Sequence, residues 1–152
     1  LFSELIKTSQ SKMSALMNPN LLTVVIFSFS YKNAPTWREL PHGGGFVFDC
    51  RGLPNPGREE RYKGLTGLDL EVQEYLRNTV QFEPFFTASV VMVEQTIAHH
   101  QSRGFEHLTV AYGCTGGQHR SVFCAETLAN HLRSNVSVVL EHRETANWPK
   151  KC

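Results

Sequence analysis

His107-Leu108-Thr109-Val110-Ala111-Tyr112 is a short β-rich run that ends at Gly113, and a few residues later Val122, Ala125, Ala129 and Leu132 recur at helical spacing. Between them lies Gly113-Cys114-Thr115-Gly116-Gly117-Gln118-His119-Arg120-Ser121. A strand, a tight loop and a helix in this order form the unit from which layered α/β folds are built. Two adjacent glycines let the backbone turn where a Cβ would clash, and the first N–H groups of the following helix have no partner within the helix. Those N–H groups, the positive end of the helix dipole and the Arg120 guanidinium would converge on about the volume of one phosphate.

Three readings of this loop compete. Cys114, followed by Arg120-Ser121 at the spacing of the phosphate loop in cysteine-dependent phosphatases, would make a thiolate nucleophile with an arginine clamp. Such a nucleophile needs a general acid for the leaving oxygen, and Asp49 is the local candidate. The second reading keeps the anion site and drops the reaction, leaving a non-catalytic binding loop for a phosphorylated metabolite or a nucleic-acid phosphate. The third is a glycine-rich turn that caps a helix.

The other apolar runs fit one sheet. Leu21 to Phe29 is nearly continuous in β-branched, aliphatic and aromatic residues, too uniform for a strand with one wet side, so it belongs in the middle. Phe46 to Arg51 follows His42-Gly43-Gly44-Gly45 as a second strand. Asn135 to Leu140 forms a fourth, with Glu141 to Glu144 as its charged end. Asp69 is a good N-cap for a helix carrying Val72, Tyr75 and Leu76 on one face. A longer helix over 83–102 buries Phe86, Val90, Val93 and Ile97 and stops at Gly104. This order predicts an α/β sheet of about four strands with crossover helices and a ligand crevice at the strands' C-terminal ends.

Several polar residues fall at that edge. Lys32 follows the first strand, either as a second cation for the same anion or as a solvated loop lysine. Asp49 and Arg51 share one side of the second strand, where they either orient a ligand or pair with each other. Thr66 and Gly67 occupy a loop able to close over a ligand, so Lys32, Arg51, Thr66 and Arg120 would face it from four segments. His99 and His100 read as a solvated pair, because adjacent helix residues point about 100° apart. The tail through Trp148, Lys150 and Lys151 has a few cations and one aromatic that could touch RNA, and reads first as a frayed terminus.

At 152 residues the chain is long enough for one domain with a full core. A net charge of +1 supplies no global field toward nucleic acid, so RNA binding would need a local patch. Cys50, Cys114, Cys124 and Cys152 form no CxxC pair, which disfavours a zinc site or a disulfide framework and suits reduced thiols in the cytoplasm. Neither a span of about 18 apolar residues nor an export signal is present in the sequence, and neither a cofactor nor a metal is expected. Leu1 to Asn20, weakly amphipathic, reads as a linker or the end of a preceding domain, or as a flexible terminus; residues 21–152 form the α/β domain. The start at Leu1 suggests a processed product or an excerpt of something longer, fused to another domain in the full-length protein.

Several blocks together resemble the C-terminal domain of the RNase adaptor RapZ family: Ser28-Phe29 with Tyr31-Lys32, Phe48 to Arg51 with Leu53 to Pro56, Leu65 to Asp69, Gly113 to Val122, and His142-Arg143. They match in order and spacing over roughly residues 22–143. The resemblance implies a bacterial domain that binds a phosphorylated amino sugar and, in some members, a small RNA, as a sensor or adaptor with no reaction of its own. It implies ligand contacts from Thr115, Gly116, Gly117, Gln118, His119, Arg120, Ser121, Lys32, Asn33, Asp49, Arg51, Asn55, Thr66 and Gly67. Members usually carry an N-terminal P-loop nucleotide-binding domain, whose glycine-lysine signature is not in this sequence. Asn33 stands where the family has histidine, and Ala34 where it has glycine. Homo-oligomerisation is a further, structural role open to such a module.

Overall fold

A computed structural model describes residues 22–151; Leu1 to Leu21, with the expected linker, and Cys152 lie outside the described residues. Four strands, β1 (Thr23–Ser30), β2 (Phe46–Asp49), β3 (His107–Cys114) and β4 (Ser137–His142), form one sheet in the order β2-β3-β1-β4. Every pairing is parallel. The uniform apolar run therefore is a central strand, as expected of residues buried from both sides.

Alternation along β1 sorts its side chains to two faces. Val24 and Ile26 join Leu108, Val110 and Tyr112 of β3 in the main core, under helices α1 (Leu70–Arg77), α2 (Phe82–Arg103) and α3 (Arg120–Leu132). α3 packs on β1, β3 and β4, with Ala125, Leu128 and Ala129 fully buried in the main core. α2 buries Phe82, Val93 and Ile97, with Phe86 and Val90 half-buried, so the predicted stripe is present. Within it Ser89 is also buried, and its Oγ lies 2.8 Å from the Tyr112 hydroxyl, which satisfies both groups. Among the described residues, no long helix covers the opposite face. Phe27, Phe29 and Ala111 are sealed there by Tyr31, Trp37 and Leu40 from the β1–β2 connection.

β1 leads to β2 on one flank of the sheet, whereas β3 leads to β4 on the other. Loops leaving two adjacent central strands in opposite directions open a crevice at their C-terminal ends. The register sets Ser30 beside Cys114, Asp49 beside Gly113 and Ser28 beside His142, so the polar ends of β1, β2 and β3 lie within a residue of one another and β4 ends opposite Ser28.

Candidate functional site: the β3–α3 loop

Residues 115–119 make the turn between Cys114 and Arg120. Gly117 has φ +64°, and a Cβ there would stand 2.5 Å from Glu144 Cγ and 3.0 Å from the Ser30 nitrogen, so both conformation and space require glycine. The loop's carbonyls are held from outside. Ser30 Oγ donates to Thr115 O at 2.6 Å, Trp148 Nε1 to Gly117 O at 3.0 Å, and the Gly67 N–H to Gln118 O at 2.9 Å. The N–H and C=O of a trans peptide point opposite ways, so these three bonds fix where the amides of Gly116, Gln118 and His119 point. None of the N–H groups of Gly116 to His119 has a protein partner among the described residues. With the α3 dipole behind them, these unpartnered donors suit an oxyanion acceptor.

Arg120 is buried, at 6% exposure. Its Nη1 donates to the carbonyls of Arg51 at 3.1 Å and Leu53 at 3.0 Å, and Nη2 reaches Thr115 Oγ1 at 3.5 Å. The guanidinium is thus not a wholly free clamp. One arm ties the turn after β2 to the base of α3, and the remaining N–H groups lie beside the loop.

The side chains of Gln118 and His119 are spent elsewhere. Gln118 Nε2 donates to the carbonyls of Lys63 and Leu65, and His119 Nε2 lies 2.9 Å from Tyr62 O. Burial pushes the His119 imidazole below its usual pKa. Asn55 caps Gly57 N, and Thr66 gives its N–H and hydroxyl to Asp69 Oδ2, so both side chains close their own turns. Asp69 precedes α1 but accepts from Thr66 instead of capping the helix amides. Gly67 lies against the start of α3, where a Cβ would run into His119 O and would stand 2.6 Å from Phe123 N.

The exposed rim carries Lys32, Asn33, Asp49 and Arg51. Asp49 and Arg51 take the second of their two readings: the guanidinium grips both carboxylate oxygens, at 2.9 and 2.7 Å. That hydrogen bond holds the Asp49 carboxyl below its ordinary pKa. A carboxyl held ionised is the reverse of what a general acid needs. Arg51 also covers the Tyr31 ring at 3.9 Å. Cys114 is buried beneath the loop, its Sγ 3.1 Å from Ser121 Oγ. Cys50 and Cys124 are buried free thiols nearby in the core.

Two contributors were not expected. Glu144, only 5% exposed, accepts from Asn33 Nδ2 at 3.4 Å and Asn147 Nδ2 at 2.8 Å, placing a carboxylate against Gly117. Trp148 is fixed on the loop, where a frayed tail was expected. A charged residue just after a strand end was visible in the sequence; its inward turn was not. Beneath them Ser28 Oγ lies 2.7 Å from His142 Nδ1, and His142 Nε2 lies 2.8 Å from Glu126 Oε1.

A parallel four-stranded α/β domain with a glycine-rich β3–α3 turn and free loop amides defines the class. The chain belongs to the RapZ C-terminal domain family, whose profile matches residues 22–146. It is 41% identical over 124 residues to a nucleotide-binding protein of Ruegeria sp. (strain TM1040), covering 81% of this chain and 40% of that protein. It is 38% identical over 136 residues to a nucleotide-binding protein of Acidobacterium capsulatum, covering 89% and 43%. A third relative, from Halorhodospira halophila, is 40% identical over 124 residues, covering 81% and 42%. The chain therefore spans about two fifths of the length of these curated relatives.

Proposed function

We propose that this domain is a non-catalytic binding module for a phosphorylated ligand, acting as a metabolite sensor or RNA adaptor within a larger cytoplasmic protein. The observation that carries the reading is the row of amides from Gly116 to His119, three of them aimed by outside hydrogen bonds and all four without protein partners among the described residues. Backbone donors in a folded loop need acceptors, and a phosphate supplies several at once. Arg120 and Lys32 add positive charge at the loop and on the rim. The relatives' name, nucleotide-binding protein, is compatible with a phosphate-bearing ligand.

An amino-sugar phosphate fits the surroundings better than an RNA phosphate. Glu144, packed against Gly117, offers a carboxylate for the ammonium group of such a ligand. An RNA backbone calls for a cationic stripe. Here Arg51 is already paired with Asp49, Lys151 with Asp69, and the chain's net charge is +1.

Calorimetry with glucosamine 6-phosphate tests this. Saturable binding is expected, weakened at least about tenfold by Arg120→Lys, which keeps the charge but loses the planar fork. Glucose 6-phosphate, without the amine, should bind more weakly. No binding of either sugar phosphate would defeat the proposal, and phosphomonoester turnover abolished by Cys114→Ser would replace it with the hydrolytic reading.

A further inference from the structure

The chain does not end at β4. Arg143 N donates to Ser28 O at 3.1 Å, which carries the sheet pairing one residue further, and Glu144 then turns inward against Gly117. A single 3-10 turn, Thr145–Asn147, brings the backbone across the loop. Trp148 lies tilted against His142, ring centroids 5.6 Å apart, and donates its indole N–H to Gly117 O. Lys151 Nζ reaches Asp69 Oδ1 at 2.8 Å, and the other oxygen of that carboxylate holds Thr66. The segment therefore runs from the end of β4, over Gly117, to the turn that precedes α1.

We propose that Glu144 to Lys151 is a strap latched by Trp148, and that latching of the strap and occupation of the loop by an anion favour each other. The proposal rests on the reading of the loop as an anion site. Of the three bonds that aim the loop amides, those from Ser30 and Gly67 come from segments enclosed in the fold, at 2% exposure for Ser30. The bond from Trp148 comes from a segment whose neighbours Pro149, Lys150 and Lys151 are exposed. It is the one that can open without unfolding the domain. While the indole holds Gly117 O, the Gln118 N–H has one direction; once the latch opens, the Gly117–Gln118 peptide is free to rotate and the donor row loses its alignment. An anion gripping Gln118 N–H holds the same peptide from its other end. Coupling of this kind is reciprocal: the factor by which the latch tightens anion binding is the factor by which the anion tightens the latch.

Inorganic phosphate serves as the probe. Trp37 and Trp148 are the two tryptophans, so a Trp37→Phe background isolates the indole of Trp148. Phosphate should change Trp148 emission saturably and slow hydrogen exchange in residues 145–151. Trp148→Phe keeps the ring on His142 but has no N–H donor, and should weaken phosphate binding about fivefold or more. Lys151→Ala, which frees the far end of the strap, should act in the same direction and less. Thermal melts of both variants serve as the fold control. Phosphate binding unchanged in Trp148→Phe, with tail exchange indifferent to phosphate, overturns the coupling and leaves the anion site standing. Absence of phosphate binding by the parent chain removes the anion site and the strap's role together.

Discussion

Two glycine-containing loops of this domain are alike in composition and opposite in use. Pro41 to Gly45, between β1 and β2, contains three glycines and three residues of positive φ: His42, Gly43 and Gly44. Its described backbone bonds are local ones, Gly43 N to Leu40 O and Gly44 N to Pro41 O, so its own turns use the donors of Gly43 and Gly44. The β3–α3 loop does the reverse. Ser30, Gly67 and Trp148 reach in from distant parts of the chain to hold its carbonyls, and its donors stay unspent. The first loop borders a cavity of about 800 Å³ near the other end of the sheet, walled by Phe46, His100, Phe105 and His107. Cavity size alone would have drawn attention there. Unspent donors, held in place by remote groups, mark the second loop instead.

Breaking the remote ties should cost most. Gly67→Ala drives a Cβ into the backbone of His119 and Phe123, where nothing flexible can give way, and should destabilise the domain by about 3 kcal/mol. Thermal unfolding would show a fall in Tm of about 10 °C for a chain of this length. The equivalent change at Pro41 to Gly45 has no such backbone to meet at Gly43, around which a Cβ finds nothing within 4 Å.

Arg120→Ala comes next. It strands the carbonyls of Arg51 and Leu53, both now satisfied by Nη1, at a cost of about 2 kcal/mol, and removes the loop's nearest cation. Denaturant unfolding measures the first effect, and phosphate titration the second.

His119 sharpens the comparison through pH. Its folded pKa lies below the ordinary value because the ring is buried, so the unfolded chain takes up a proton first. Stability should therefore fall as pH drops below about 6.5 and level off beneath the folded pKa. In His119→Gln that share of the pH dependence should vanish, read as the difference between the two stability curves. An unchanged difference curve would mean that the ring titrates alike folded and unfolded.

The smallest effect belongs to the other loop. His42 holds φ +55° without being glycine, and His42→Gly should relieve that strain, raising stability by up to about 1 kcal/mol while leaving phosphate affinity unaltered. A loss of affinity in this variant would erase the contrast between the loops.

How far the sequence carried the fold depended on whether a signal was local. The continuous run at Leu21 to Phe29 placed β1 at the centre, and helical spacing found α2 over 83–102 against Phe82–Arg103 observed. Strand ends slipped where a turn begins: Cys50 and Arg51 look β-like but form a 3-10 turn, because Asp49 accepts from Arg51 N and bends the chain. The anion loop was legible as a strand, two glycines and a helix start. What Gln118, His119 and Asn55 do was not, since each spends its polar atoms on carbonyls or amides whose positions only the folded chain sets. Family resemblance names residues at a site, and it does not say which of them face the ligand and which hold the site together. The tail was misread for the same reason: Trp148 and Lys151 look like a loose end until folding brings Gly117 O and Asp69 within their reach.

The most direct measurement follows the amide resonances of an isotope-labelled sample while inorganic phosphate is added. Gly116, Gly117, Gln118 and His119 should shift together and saturate at one phosphate per chain, with Gly43, Gly44 and Gly45 unmoved. If the four amides stay still, or the two loops respond alike, the β3–α3 turn holds no anion.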